Sequence, residues 1–330
     1  MRAPAFWAGG GGILPLLLSP IAALYAQATA RRVAQPGWNA PVPVICCGNA
    51  TAGGAGKTTL ASDIAARLER AGTAAHVLLR GYGGRLKGPV RVDPTLHKAA
   101  DVGDEALILA ALHPTWVSAD REAGARAAIA AGAQAIVMDD GLQNPGLAKD
   151  LSLLTIDGSY GFGNGRIIPA GPLREPVSAA AGRCQAAVLI GEDEVGALAS
   201  LPPALPVLRG RLAPGADAAA MSGRSVFAFC GIANPGKFFA TLVESGAQIA
   251  GRATFADHYP YDEGDMEALL KEATALRATP VTTRKDFVRI PEKFRAAVSV
   301  VTVTLEWEDP EAVDALLART VGTSKALETA

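Results

Sequence analysis

The run Val44-Ile45-Cys46-Cys47-Gly48-Asn49-Ala50-Thr51-Ala52-Gly53-Gly54-Ala55-Gly56-Lys57-Thr58-Thr59 constrains this chain more than any other stretch. Its apolar opening suits a buried strand, and a glycine-dense loop follows. Leu60-Ala61-Ser62-Asp63-Ile64-Ala65-Ala66-Arg67-Leu68 then reads as a helix. Strand, loop and helix in that order make a phosphate-binding P-loop. The glycines let backbone N–H groups converge on an anion, and the helix N-terminus adds favourable partial charge. Lys57 is placed to reach the β- and γ-phosphates, and the Thr58 hydroxyl to ligate Mg²⁺. Thr51, Gly53, Gly54, Ala55, Gly56 and Thr59 complete the candidate cradle. The usual pattern has a glycine where this chain has Thr51. An accidental Gly-rich turn is the competing reading, and the strand and helix on either side argue against it. The chain is expected to bind a nucleoside triphosphate.

Several later segments extend this reading. Ala135-Ile136-Val137-Met138-Asp139-Asp140 is an apolar strand ending in carboxylates, the Walker B arrangement, which places Asp139 beside Mg²⁺ or its water shell. Further strands are expected at 74–79, 115–118, 151–157 and 186–191. The loop Arg80-Gly81-Tyr82-Gly83-Gly84-Arg85 falls beyond the carboxyl end of a strand, where ligands sit in doubly wound sheets. Asp104 precedes an apolar helix, a position equally suited to simple capping. The Gly-, Pro- and Arg-rich stretch from Gly161 to Pro176 has the composition of a shaped binding loop. In it, Arg166 and Arg174 are candidates for a second anion. A proline-rich segment at Leu201–Pro206 marks a change of subdomain, and a second, smaller α/β unit follows. Residues 321–330 show no periodicity and are expected to be irregular.

The N-terminus is unusual. From Ala3 to Ala30 no side chain is charged, and Arg31-Arg32 closes the run. A bilayer span needs ~20 apolar residues, so the length suffices, although Pro15 and Pro20 argue against one straight helix. A secretory signal, a core helix and a membrane-contacting helix compete. A P-loop enzyme exported from the cell would find no ATP. The arginine pair fits the cytoplasmic flank of a membrane-contacting helix, which is the preferred reading. The 330 residues carry a formal net charge of −1, which offers no electrostatic footprint for nucleic acid. The four cysteines show neither metal-ligand spacing nor a disulfide framework, as expected of reduced, buried thiols.

Taken together, these segments resemble the tetraacyldisaccharide 4′-kinase family, the lipid A kinases of Gram-negative bacteria. The likeness rests on the P-loop with its Thr-x-Gly-Gly-x-Gly-Lys-Thr variant and on the Arg80-Gly81-Tyr82-Gly83 loop. It continues through Gly103-Asp104-Glu105, Asp139-Asp140-Gly141-Leu142-Gln143, Gly163-Asn164-Gly165-Arg166 and Pro169–Glu175. Phe255-Ala256-Asp257-His258 and Thr282-Thr283-Arg284-Lys285-Asp286 complete it. The family has histidine where this chain has Asn144, which can hydrogen-bond but carries no proton. It often has glutamate in place of Arg284.

The resemblance implies transfer of the ATP γ-phosphate to the 4′-hydroxyl of an acylated glucosamine disaccharide 1-phosphate. It implies Lys57 as stabiliser of the transferring group and Mg²⁺ held by Thr58, Asp139 and Asp140. Asp104 matches the family's proposed base and His258 the partner that holds it. Tyr82, Arg121, Gln143, Asn164, Arg166 and Arg174 become candidates for the sugar-phosphate acceptor. An acylated substrate also calls for the cytoplasmic surface of the inner membrane, with the N-terminal helix docked on it, and no protein partner is expected. The implied organisation is an N-terminal apolar helix over 1–32, a P-loop α/β domain with a parallel sheet flanked by helices over 33–205, and a smaller α/β subdomain over 206–330. Partitioning-type ATPases share the Gly-Gly-x-Gly-Lys-Thr-Thr loop but carry a signature lysine where this chain has Ala52. A GTPase would need an Asn-Lys-x-Asp element, and none is found.

Overall fold

The computed structural model describes residues 4–9 and 12–328. Short apolar runs bounded by turns form β1 (Val44–Gly48), β2 (Ala75–Leu79), β3 (Val90–Arg91), β4 (Thr115–Val117), β5 (Ala135–Asp139), β6 (Leu151–Asp157) and β7 (Ala186–Ile190). They are followed by β8 (Val207–Pro214), β9 (Ser225–Cys230), β10 (Gln248–Thr254), β11 (Thr279–Thr283), β12 (Ser299–Val301) and β13 (Val303–Trp307). One sheet runs β13-β8-β7-β6-β1-β5-β2-β4-β3, and a second runs β10-β9-β11-β12. The large sheet is parallel except at its two edges, where β13 and β3 run antiparallel to their neighbours.

The central strands are unbroken apolar runs because helices cover both faces of a parallel sheet. Ile45 and Cys47 pack with Leu60, Ile64 and Leu68 of the helix Lys57–Arg70, while Val44 and Cys46 pack with Ala125, Ala128 and Leu147 on the other side. Leu60 and Ile64 are fully buried, and each such side chain contributes about 1.5–3 kcal/mol. That packing fixes the helix and therefore the lysine on its first turn. From β1 the chain crosses to β2 on one side and later to β6 on the other. This reversal of strand order opens a crevice at the carboxyl end of β1, where ligands bind in such sheets.

The smaller sheet is wholly parallel and flanked by the helices Pro235–Glu244 and Glu263–Ala275. It forms between two strands of the large sheet, because β13 returns to pair with β8. The 205/206 division thus falls just before β8, a strand of the large sheet, and the second sheet opens at Ser225. The closing helix Pro310–Glu328 docks Val313 and Leu317, one turn apart, in the large core. Arg67 pairs with Asp314 at 2.7 Å and Trp307 Nε1 donates to Asp63 at 2.8 Å. These anchors carry the helix as far as residue 328, where irregular structure was expected.

The N-terminal segment is one continuous helix, Ile13–Val33, with Pro20 inside it. It is long and apolar enough to cross a membrane by length and composition. Ile13, Leu16, Leu17 and Leu24 are 59–75% exposed, which rules out the core-helix reading. Arg31 and Arg32 occupy its last turn, where cations favour the helix dipole.

Candidate active site

The loop after β1 is held from below by the segment that follows the Gly163–Gly165 turn. Ala52 N–H donates to Pro172 O and Arg174 N–H to Ala50 O, both at 2.7 Å. Thr51 bridges Leu173 through its backbone, and its hydroxyl accepts from Asn49 Nδ2 at 3.0 Å. The threonine is therefore a structural part of the cradle. Gly56 has φ +83°, a conformation that side chains rarely adopt, and a Cβ there would meet Ile190 Cδ1 at 2.6 Å and push it aside. Gly53 has φ +136° and, like Gly54, faces open space. Ala55 is buried and Thr59 half-buried on the first helical turn. Lys57 Nζ donates to Asn49 Oδ1 at 3.0 Å and Gly53 O at 3.3 Å. Burial lowers its pKa, against the pull of Asp140.

Thr58 Oγ1 donates to Asp139 Oδ2 at 2.9 Å, joining the P-loop helix to the end of β5. The other oxygen, Asp139 Oδ1, is buried without a hydrogen-bond partner among the described residues. Burial pushes this carboxyl up to about 7; Lys57 opposes the shift and Asp140 adds to it. Asp140, at φ 57°, turns its carboxylate onto Arg174, with contacts of 2.7 and 3.0 Å, and lies 3.8 Å from Lys57 Nζ. Burial would raise Asp140, but Lys57 and Arg174 outweigh it and hold the group below its ordinary value. An unpartnered hard oxygen beside a hydroxyl is a donor set that suits Mg²⁺.

Two of the acceptor candidates spend their polar atoms inside the protein. Gln143 donates to Asn49 O at 2.8 Å and Glu175 Oε1 at 2.9 Å, and accepts from Arg174 at 3.2 Å. Asn164 donates to Phe6 O at 2.9 Å and Ala170 O at 3.0 Å, and its Oδ1 accepts from Arg166 N–H. Trp7 adds a bond to Pro169 O at 3.1 Å, so residues before the apolar helix are tied to the loop that supports the P-loop. Arg166 is exposed and lies 3.3 Å from Ser19 Oγ on that helix. Arg121 is buried at 3% exposure, donates to Ser118 O, and leaves Nε unpartnered. Its pKa is lowered to about 10, first by burial and then by Arg80, while Asp140 and Asp139 draw it the other way.

Across the crevice, Asp104 and His258 meet although they are 154 residues apart: His258 Nδ1 lies 2.8 Å from Asp104 Oδ2. Asp104 opens the helix Asp104–Ala110, and His258 sits at φ 60° between β10 and the helix Glu263–Ala275. A non-glycine residue there is strained and is held by its surroundings. Tyr82, 76% exposed, overhangs the pair with its ring 6.3 Å from the imidazole. Glu105, next to Asp104, acts by charge on both Lys57 and Asp139, so the two clusters feel each other's field.

Reading the sequence alone misses several participants. Arg289 Nε lies 3.0 Å from Asp104 Oδ2, giving the carboxylate an ion-pair partner, while its N–H donates to Lys285 O. Lys285 Nζ stands 3.2 Å from His258 Nε2 and 3.4 Å from Glu105 Oε1. Glu175 ties Gln143 to Arg183. Lys285 stands in a motif already singled out, but nothing in its spacing points at a histidine on another loop. Asn144 accepts from Gly146 N–H at 3.0 Å as an ordinary turn residue.

A parallel sheet whose central strand feeds a glycine loop, with lysine and threonine facing two aspartates, defines an α/β P-loop phosphotransferase. The chain belongs to the tetraacyldisaccharide-1-P 4′-kinase (LpxK) family, whose model matches residues 14–322. It is 57% identical to the tetraacyldisaccharide 4′-kinase of Gluconacetobacter diazotrophicus over 318 residues, covering 96% of this chain and 97% of that protein. The corresponding kinase of Rhodospirillum centenum is 54% identical, with 96% of each chain covered. A crystal structure of LpxK from Aquifex aeolicus, described as an "apo" form in complex with ATP, superposes with a TM-score of 0.76. The two are 26% identical, and the match covers 93% of this chain and 99% of that one.

Proposed function

We infer that this chain transfers the γ-phosphate of ATP to the 4′-hydroxyl of tetraacyldisaccharide 1-phosphate, the kinase step of lipid A biosynthesis. The observation that carries the reading beyond a generic ATPase is the Asp104–His258 contact opposite the P-loop. An acceptor hydroxyl there would face the donor phosphate across the crevice.

In this reading the loop amides and Lys57 hold the triphosphate and stabilise charge developing on the transferring group. Lys57 would leave Asn49 Oδ1 and Gly53 O for phosphate oxygens. Thr58 and Asp139 would hold Mg²⁺, with Asp140 kept nearby by Arg174. Bound there, the ion would neutralise phosphate charge. The fit is supported by the unpartnered Asp139 Oδ1 and by the occupation of both Asp140 oxygens by Arg174. Asp104 takes the proton of the acceptor hydroxyl, and His258 orients it; such assistance is worth about 10²–10⁴-fold. Tyr82 and Arg166 are exposed candidates to meet the acceptor, and Arg121, buried behind them, would act on it by charge. Gln143, Asn164 and Arg174 shape its walls.

The apolar helix would rest on the cytoplasmic face of the inner membrane, where acylated substrate and ATP meet. Residues 1–32 then serve attachment, 33–205 hold the nucleotide, and 206–330 supply His258. The deciding assay follows labelled phosphate from ATP to the disaccharide in wild type, Lys57→Ala and Asp104→Ala. Loss of transfer in both variants is expected. ATP hydrolysis without phosphorylated lipid would instead indicate an ATPase. Deleting residues 1–30 is expected to release the protein from membranes; unchanged partition and unchanged activity on micellar substrate would remove the attachment reading.

A further inference from the structure

We propose that Lys285 is a positioning residue that fixes the proton of His258 on Nδ1, so that the ring is a permanent donor to Asp104. The inference rests on the reading of Asp104 as base.

A lysine ammonium only donates hydrogen bonds. Lys285 Nζ is 3.2 Å from His258 Nε2, so that nitrogen must present its lone pair. The ring proton then belongs on Nδ1, 2.8 Å from Asp104 Oδ2. The opposite tautomer would set a lone pair against the carboxylate.

The charges facing the ring come from four elements. Asp104 and Glu105 lie on the helix Asp104–Ala110, and Lys285, Asp286 and Arg289 on or just beyond the helix Arg284–Phe287. Asp257 precedes the histidine, with Oδ2 3.8 Å from Nε2, and the Tyr82 ring comes from the loop after β2. Glu105 and Asp257, at 3.4 and 3.6 Å from Lys285 Nζ, hold the ammonium in place.

The lysine is rigidly mounted. Its neighbour Asp286 is fully buried and accepts from Gly231 N–H at 2.7 Å, Tyr261 OH at 3.0 Å and Thr283 Oγ1 at 2.6 Å. His258 Nδ1 faces Oδ2 of Asp104, and the Arg289 guanidinium pairs with the same oxygen by charge while its Nε–H donates to Lys285 O, which leaves Oδ1 for the acceptor hydroxyl. Without the lysine the Nε2 lone pair is open to a proton shared with Asp257, and the ring's hold on Asp104 loosens.

The test uses full-length protein with ¹⁵N-labelled histidine, and only four histidines share the spectrum. The expected resting signature of His258 is a neutral ring protonated on Nδ1. Lys285→Met, which keeps the apolar stem, should replace that signature by Nε2 protonation or double protonation, while Lys285→Arg keeps it. In the transfer assay, Lys285→Met should lower kcat by about tenfold or more and leave the KM for ATP within about twofold. A wild-type ring protonated on Nε2, or on both nitrogens, overturns the proposal even if the methionine variant does not fold. So does an unchanged signature in Lys285→Met. Full activity in Asp104→Asn would remove the base assignment alone, because the ring's proton pattern is read in the resting protein.

Discussion

Removing the imidazole of His258 puts a definite number at risk. Asp104 Oδ2 has two cationic or donor partners, His258 Nδ1 at 2.8 Å and, as an ion pair, Arg289 Nε at 3.0 Å. A charge-assisted hydrogen bond is worth about 1.5–3 kcal/mol. If that energy holds the carboxylate in its productive plane, His258→Ala lowers kcat by about 10- to 150-fold, at 1.36 kcal/mol per tenfold. Arg289 remains, so the loss should stay below that of Asp104→Ala, about 10²–10⁴-fold. The KM for ATP should change little, because the P-loop contacts lie on the other wall. The double variant Asp104→Ala/His258→Ala should be no slower than Asp104→Ala, since the histidine acts only through the carboxylate. Steady-state phosphate transfer to detergent-solubilised disaccharide measures all three. A double variant slower than Asp104→Ala by the full His258→Ala factor would refute the reasoning, because the histidine would then act on substrate independently.

Three further outcomes follow from the same geometry. The Asp139 carboxyl binds its proton more tightly folded than unfolded, so its ionisation destabilises the nucleotide-free fold as pH rises from about 4 to about 7. Asp139→Asn should therefore be more stable than wild type at pH 8 by ~2–4 kcal/mol, with no such gain at pH 4, while losing Mg²⁺-dependent transfer; denaturant melts at the two pH values check this. Asn164→Ala removes bonds to Phe6 O and Ala170 O, at about 1 kcal/mol each. Faster amide exchange at residues 163–174 and 50–52 is expected, with a several-fold rise in the KM for ATP. Asp286→Ala strips a fully buried carboxylate from three donors and from Arg289. It should destabilise the smaller unit by about 3–5 kcal/mol, seen as an early transition in thermal unfolding.

The phosphate-binding half of the molecule was open to reading from the sequence because its chemistry is local. A glycine loop, a lysine and a threonine act within one strand–loop–helix unit, and the helix Lys57–Arg70 follows directly from that order. Apolar runs likewise announce buried parallel strands, and the run up to Arg31-Arg32 announces a helix that leaves leucines uncovered. Even Thr51, a departure from the usual pattern, proves to be a fixed part of the loop through Asn49 and Leu173.

What sequence alone left open involves partners that are remote along the chain. No periodicity tells that β13 returns to the large sheet after a whole second unit, because strand pairing is decided by which edges remain uncovered. Nor does spacing reveal that Gln143 and Asn164 turn inward, toward carbonyls made available by other loops. Side-chain type gives the capacity for a proton, an anion or a metal, and the sequence determined that much. Which oxygen of Asp104 is held, by His258 and Arg289 together, and which nitrogen of His258 faces Lys285, are matters of direction and distance. Only packing one unit against the other decided them.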